Sequence, residues 1–354
     1  MKCVRCLILV LLMLLLMAPK PGWSAKEAAG PAKETVAAAA KEAEAGEETE
    51  GRGEGFETKA EEEKKGVECS PTFGPIITDT AVPIDKGKFA IQPTFYMNFV
   101  TKSLTQNWRR VSAGGDFKSF NMDWKFTYGL WDNLETFVVI PYSHNWASSV
   151  NEPGPNGETS ANSGGLGDVN LTFKYRLVEE TAQLPTVTAL FATGFPTGRY
   201  RHLNPARLGA DEIGGGAFVF TTGVNLSKCL NPFVVYGNLW YSMQTAFTNR
   251  GVDDDGNSIN VRNYPRDFVT VNLAAEYIIT EKWVGLMELT SSWPGGRLFG
   301  HKANAAPEAI FSAMPGIEYM ATEKFSLALG VNFSVVGKNT DATITPMLSM
   351  VYAF

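Results

Sequence analysis

Histidine is scarce in this chain: His144, His202 and His301 are the whole supply in 354 residues. None falls in an HExxH spacing, no GxSxG occurs, and no Cys or His pair stands at metal-ligand spacing. Hydrolase and metalloenzyme chemistry therefore lack their usual footing, and neither a cofactor nor a metal is expected. Basic charge is short as well, 31 Lys and Arg against 37 Asp and Glu, which disfavours nucleic acid as a partner. Beyond the N-terminus no apolar run approaches the roughly 18 residues that a membrane helix needs. Cysteine is limited to four residues, and two of them, Cys3 and Cys6, precede the first apolar run.

That first run, LILVLLMLLLMA, follows the basic leader MKCVRC and precedes PKPGWSA. A positive start, a short apolar core and small residues near a cut after Ser24 or Ala25 predict a secretory signal peptide over residues 1–25, with an uncleaved anchor as the alternative. Residues 26–68 are mostly Ala, Glu, Lys and Gly, with Phe56 the one aromatic. Such a segment buries too little apolar surface to offset its ordering, so a disordered or partly helical acidic extension is expected. The structured part is then 69–354. Export places Cys69 and Cys229 in a compartment that permits disulfides.

From residue 88 onward the dominant period is two. In SFNMDWKFTYGL, Phe120, Met122, Trp124, Phe126, Tyr128 and Leu130 alternate with Ser119, Asn121, Asp123, Lys125, Thr127 and Gly129. DVNLTFKYRL repeats the pattern, with Val169, Leu171, Phe173, Tyr175 and Leu177 opposite Asp168, Asn170, Thr172, Lys174 and Arg176. Ten or more alternating residues exceed the roughly five or six of an ordinary sandwich strand and match a tilted strand crossing a bilayer. About twelve strands are expected, near 88–101, 117–130, 134–147, 166–178, 185–196, 214–226, 232–246, 266–279, 282–293, 306–320, 324–337 and 342–354.

Their connections alternate in length. Short turns such as WDN, SKCLNP, TEK and ATEK take turns with long Gly-, Asn- and Pro-rich loops such as NEPGPNGETSANSGG and GRYRHLNPARLGADEIGG. This is the layout of an all-β, antiparallel transmembrane barrel of the Gram-negative outer membrane, with both termini on the periplasmic, short-turn side. Tyr128, Trp131, Tyr277, Trp283, Tyr319, Tyr352 and Phe354 gather at the short-turn end, and Trp146 and Trp293 at the other, as interfacial girdles would. Cys229 in a short turn and Cys69 just before the first strand fall on one side, where a disulfide would tether the N-terminal segment to the rim.

The closing strand ITPMLSMVYAF, with Tyr352 and Phe354 two apart, resembles the assembly signal read by the barrel-insertion machinery, although Ser349 stands where Gly is common. PIITDTAVPIDKGKFAIQP, GGLGDVNLTFKYRL, TGFPTGR and that closing strand together resemble the "MetA-pathway of phenol degradation" family of transporters over most of residues 72–354. The resemblance implies an outer-membrane barrel connected with uptake of aromatic compounds, and it brings no motif-defined functional residues.

Alternation puts Asp123, Lys125, Asp168, Lys174, Arg176, Asp267, Glu276, Glu288, Glu308 and Glu318 on the lumen side as candidate pore-lining residues. The excess of acids favours cations in a water-filled pore, unless the charges neutralise one another across strands. Tyr236 and Trp240 would narrow the bore if inward, but the facing of 232–246 is undecided. His144 near Ser143, Ser148 and Ser149 is a faint echo of a barrel phospholipase, and the run Asp253 to Asn257 has calcium-loop spacing without the closing Glu. Arg199, Arg201, His202 and Arg207 share one long loop, where they meet lipopolysaccharide phosphates, fold inward, or are merely solvated. The expected function is passive passage of small solutes, aromatic compounds among them. A closed structural or surface-interaction barrel is the alternative, and a barrel enzyme stands behind it.

Overall fold

The computed structural model describes residues 72–252, 258–296 and 303–354. Residues 1–25 and 26–68, Cys69, His301 and the run 253–257 lie outside the described residues. The β-segments are, in order, β1 Phe89–Leu104, β2 Arg110–Val111, β3 Asp116–Trp131, β4 Leu134–Ser148, β5 Ala161–Leu166, β6 Val169–Val178, β7 Thr186–Phe195 and β8 Val219–Leu230. They continue with β9 Phe233–Gln244, β10 Phe247–Val252, β11 Ser258–Asn263, β12 Phe268–Ile278, β13 Trp283–Pro294, β14 Ala309–Thr322, β15 Phe325–Lys338 and β16 Thr340–Ala353.

Twelve of these form a closed antiparallel barrel: β1, β3, β4, β6 to β9 and β12 to β16. Closure comes from β16 pairing with β1, from Ala90↔Ala353 to Leu104↔Thr340 with a register shift between Val100 and Lys102. The last strand therefore has β15 on one side and β1 on the other, and the Phe354 N–H donates to the Phe89 carbonyl at 2.8 Å. A chain end that would otherwise fray is paired to its final residue. β5 continues the line of β6 along β4 beyond an interruption at Gly167 and Asp168, while β10 and β11 form a separate hairpin within a long loop.

The period of two becomes two faces. In β6, Thr172 and Lys174 are buried, whereas Phe173, Tyr175 and Leu177 on the outer face are 40%, 49% and 58% exposed. Phe191, Leu239, Met287, Leu329 and Ile344 continue an exposed apolar belt on other strands. A water-facing surface does not present so continuous a greasy band, and lipid is the solvent that suits it. Aromatics cluster at the short-turn rim: Trp283 against Tyr319 at 4.6 Å, Phe233 against Tyr277 at 5.0 Å and Tyr352 against Phe354 at 4.7 Å.

Two sequence expectations shift. The strand expected at 214–226 begins at Val219, because Gly215 N–H is drawn to the Asp168 carboxylate and Gly214 N–H to the Arg199 carbonyl, so this glycine run folds as loop. The long loop after β9 contains the β10–β11 hairpin, pairing Phe247↔Asn263 through Val252↔Ser258. The undecided strand resolves with Tyr236 and Trp240 inward and Leu239 outward.

Candidate functional site

Residues 72–88 run into the barrel from the short-turn end, cross its lumen as a strap, and return to the rim to start β1. The sequence makes this segment a poor strand, because Pro75 and Pro83 each remove a donor from any ladder. Its backbone must find partners elsewhere. It finds them in the inward side chains of the barrel.

Thr72 Oγ1 donates to Glu318 Oε2 at 2.8 Å. The backbone N–H groups of Ile76, Ile77 and Thr78 all converge on the Glu288 carboxylate, the closest at 2.6 Å. Asn238 clamps Asp79 twice: Oδ1 accepts its N–H at 2.9 Å and Nδ2 donates to its carbonyl at 2.8 Å. Ala81 N–H donates to Ser227 Oγ at 2.7 Å, Thr188 Oγ1 donates to the Ala81 carbonyl, and Ile84 N–H donates to Glu135 Oε2 at 2.7 Å. The strap is thus held by side chains from β14 round to β4.

Its one luminal charge sits at the centre. The Asp79 carboxylate accepts from Asn225 Nδ2 at 2.7 Å, and lies 3.3 Å from Lys174 Nζ and 3.4 Å from Lys125 Nζ. Lys174 also reaches Glu135 Oε1 at 2.7 Å and the Thr80 carbonyl at 2.9 Å, and Lys125 lies over the Phe137 ring at 4.2 Å. Burial opposes ionisation of Asp79, but the two ammonium groups outweigh it and hold its carboxyl below the ordinary value of 3.8.

Above the strap, toward the long loops, lies a cavity of about 770 Å³ whose floor is Phe73 to Thr80. Thr94, Asn170 and Thr270 give its wall hydroxyl and amide groups, and Tyr96, Phe137 and Trp240 give it aromatic ones. Trp240 is fixed by donating Nε1–H to Asn225 Oδ1 at 2.7 Å, and a Cβ on Gly223 would collide with its ring.

The ten charged residues expected to line the pore are not one set. Asp123, Lys125 and Asp168 border the cavity. Lys174, Glu276, Glu288 and Glu318 face inward but are at most 1% exposed, sealed at the level of the strap. Glu288 and Glu318 accept from the strap and Tyr236 OH donates to Glu276 Oε2 at 2.7 Å, while Glu276 Oε1 is buried without a partner among the described residues; these three acids do not line the cavity. Arg176 staples the short turn, donating to Asn133 Oδ1 at 2.8 Å and to the Asp132 carbonyl at 3.2 Å. Asp267 orders the long-loop end, accepting from Gln244 N–H at 3.0 Å and Tyr241 OH at 3.1 Å, and Glu308 is exposed just before β14. Asp79, Glu135, Asn225 and Asn238 were not among the expected site residues. Asp79 lies outside any alternating run, and the other three are recognisable in sequence only as inward polar positions.

Ser143 and His144 point to opposite faces of β4: Ser143 donates inward to Asn121 Oδ1 at 2.7 Å, while the His144 ring packs on Trp146 at 4.4 Å. They do not form a nucleophile–base pair. Cys229 is buried and disulfide-bonded.

Where the strap leaves the lumen, Gly87 N–H donates to the Gly129 carbonyl at 2.8 Å, and a Cβ on Gly129 would overlap the Asp85 carbonyl. Backbone cannot yield as a flexible side chain can. Gly129→Ala is therefore expected to lower stability by about 1–3 kcal/mol, and limited proteolysis should locate the loosening at 84–88 while the barrel stays resistant.

No family model and no curated protein matches the chain. Among solved structures, an outer membrane channel from Pseudomonas putida F1 aligns with TM-score 0.62 and 17% identity, covering 79% of this chain and 100% of its own. The CymD monoaromatic hydrocarbon channel aligns with TM-score 0.38 and 11% identity over 77% of this chain and 89% of its own. The transport unit of the autotransporter AIDA-I from Escherichia coli gives 0.44 and 11% over 80% and 94%. The first shares the fold of this chain; at their scores the other two bear on nothing further.

Proposed function

We propose that this chain is an outer-membrane channel for passive diffusion of small solutes, aromatic compounds among them, with the 72–88 strap closing the short-turn half of its lumen. The observation that carries this reading is the cavity above the strap, whose wall is mostly hydroxyl, amide, aliphatic and aromatic with Asp123, Lys125 and Asp168 among them, within a barrel whose outside is greasy. Selectivity then rests on the shape and polarity of the cavity, with no chemical step. The short-turn end is periplasmic, residues 1–25 are a signal peptide and 26–68 an acidic periplasmic extension. Lipopolysaccharide surrounds the long-loop end, and the barrel-insertion machinery reads the Tyr352–Phe354 strand. The resemblance to the phenol-degradation transporter family supports aromatic solutes.

Uptake into liposomes tests the reading. Phenol-sized neutral solutes are expected to enter vesicles carrying the protein faster than sugars of the same charge. Equal rates, or no uptake by demonstrably inserted protein, would leave the closed structural barrel as the better account.

Cys69 is the partner proposed for Cys229. Thr72, three residues after Cys69, is anchored to Glu318 near the short-turn end, the end at which Cys229 also lies. Peptide mapping without reductant is expected to recover a cross-linked Cys69–Cys229 pair; free thiols at both would remove the tether.

A further inference from the structure

The geometry points to an oxyanion site at the long-loop mouth, in which the guanidinium groups of Arg199 and Arg207 receive a carboxylate or phosphate. Arg199 Nη2 donates to Ser163 Oγ at 3.0 Å and to the Gly164 carbonyl at 3.2 Å. Arg207 Nη1 donates to the same Ser163 oxygen at 2.9 Å. Two cations thus share one neutral hydroxyl. Among the described residues no carboxylate stands within ion-pair distance of either. Like charges brought together without a counter-ion repel, and guanidinium forks in pairs are the usual grip on carboxylate and phosphate.

The acid that could have neutralised them is otherwise engaged. Asp168 Oδ1 accepts from Gly198 N–H at 2.8 Å and Oδ2 from Gly215 N–H at 2.7 Å. Its charge is spent on fixing the backbone that presents Arg199, whose carbonyl in turn accepts from Ile213 and Gly214 N–H. On the other arm, Asn204 caps the turn Pro205–Arg207, its Oδ1 accepting from Ala206 N–H at 3.0 Å while Asp211 holds the Asn204 N–H at 2.8 Å. Both arginines are exposed, yet both stand on braced backbone, so little loop ordering remains to oppose binding.

The facing of the site selects the ligand. Ser163 pairs with Asn145, so the two share the inner face of the wall, and Asn145 Nδ2 donates to the Ala210 carbonyl of the same folded-in loop. The arginines therefore overlook the mouth from inside the barrel. A solute bearing an oxyanion meets them before the cavity, and a lipopolysaccharide phosphate reaches them only by bending inward. This deepens the channel reading by adding a recognition step for acidic solutes, but binding is measurable without transport.

The test is calorimetric titration of the full-length protein in detergent with inorganic phosphate, benzoate and, as a neutral control, benzyl alcohol. Benzoate or phosphate is expected to bind saturably, each of Arg199→Gln and Arg207→Gln to weaken that binding by roughly tenfold, and the double variant to abolish it. Benzyl alcohol should respond equally to all four proteins. Ser163→Ala separates ligand binding from loop stapling: it removes the shared hydroxyl but keeps both charges, so anion binding persists if the arginines are a site. A parallel arm offers lipopolysaccharide micelles, and arginine-dependent capture of these alone would assign the same oxyanion site to lipid phosphate. Failure of folded wild-type protein to bind any of the three anions, or unchanged binding by the double variant, overturns the proposal.

Discussion

Deleting residues 72–84 is expected to raise single-channel conductance severalfold in planar bilayers, with the barrel still inserted and heat-resistant. The reason lies in who holds whom. Each barrel strand pairs with its two neighbours through backbone hydrogen bonds that owe nothing to the strap, and closure between β1 and β16 begins at residue 90, beyond the deleted segment. Residues 72–84, by contrast, contribute no strand and are held to the barrel through its side chains. Removing them leaves Glu288 without three N–H donors and Lys125 without Asp79, but water entering the vacated lumen can solvate both. Conductance unchanged by the deletion would mean that Tyr236, Trp240 and the inward carboxylates fill the bore by themselves.

Acid is a weaker lever on the same strap. The Asp79 carboxyl is held below its ordinary value, so its contribution to docking is complete above pH 3.8 and fades only as pH falls through the lower, folded value. Conductance traces are therefore expected to be the same at pH 7 and pH 5 as far as Asp79 governs them.

The barrel was largely legible because membrane strands combine a period of two with a length that soluble strands seldom reach. The run 117–130 anticipates β3 to within one residue at each end, and 134–147 anticipates β4 equally well. Faces were legible for the same reason: Lys174 and Phe173 could not both meet lipid. The strap was not legible. Its residues, among them ITDTAVPIDKG, have no periodicity because they obey no lattice of their own; in sequence they stand out only as part of a family resemblance. That omission misassigned the site, since Glu288 and Glu318 face inward as alternation requires but meet backbone amides and hydroxyls of the strap instead of pore water. Alternation gives direction, and only the partner decides whether an inward acid is a pore charge or an anchor. The glycines at 214–216 failed differently: a local propensity argument cannot know that Asp168, far along the chain, claims the Gly215 amide.

Lys174→Met should have the largest effect of any single substitution, a loss of about 3–5 kcal/mol of the kind that follows removal of one partner from a buried ion pair. Lys174 is fully buried, and its one ammonium group serves the Asp79 carboxylate, the Thr80 carbonyl and Glu135. The three losses are unequal. Asp79 keeps Lys125 and Asn225, and so retains a counter-charge and a strong donor. Glu135 keeps only the Ile84 N–H on Oε2, and its Oε1 is left charged in a buried position. Most of the penalty therefore falls on Glu135, which leads to a sharper expectation: Lys174→Met combined with Glu135→Gln should recover a large part of the stability, whereas Lys174→Met combined with Asp79→Asn should recover less. Denaturant titration in one detergent of the wild type, the three single variants and the two double variants measures both couplings, and contacts this close ordinarily give interaction energies of about 0.5–3 kcal/mol. If the Asp79 combination rescues better, the central charge of the strap, and not the wall residue Glu135, is what Lys174 is there to neutralise.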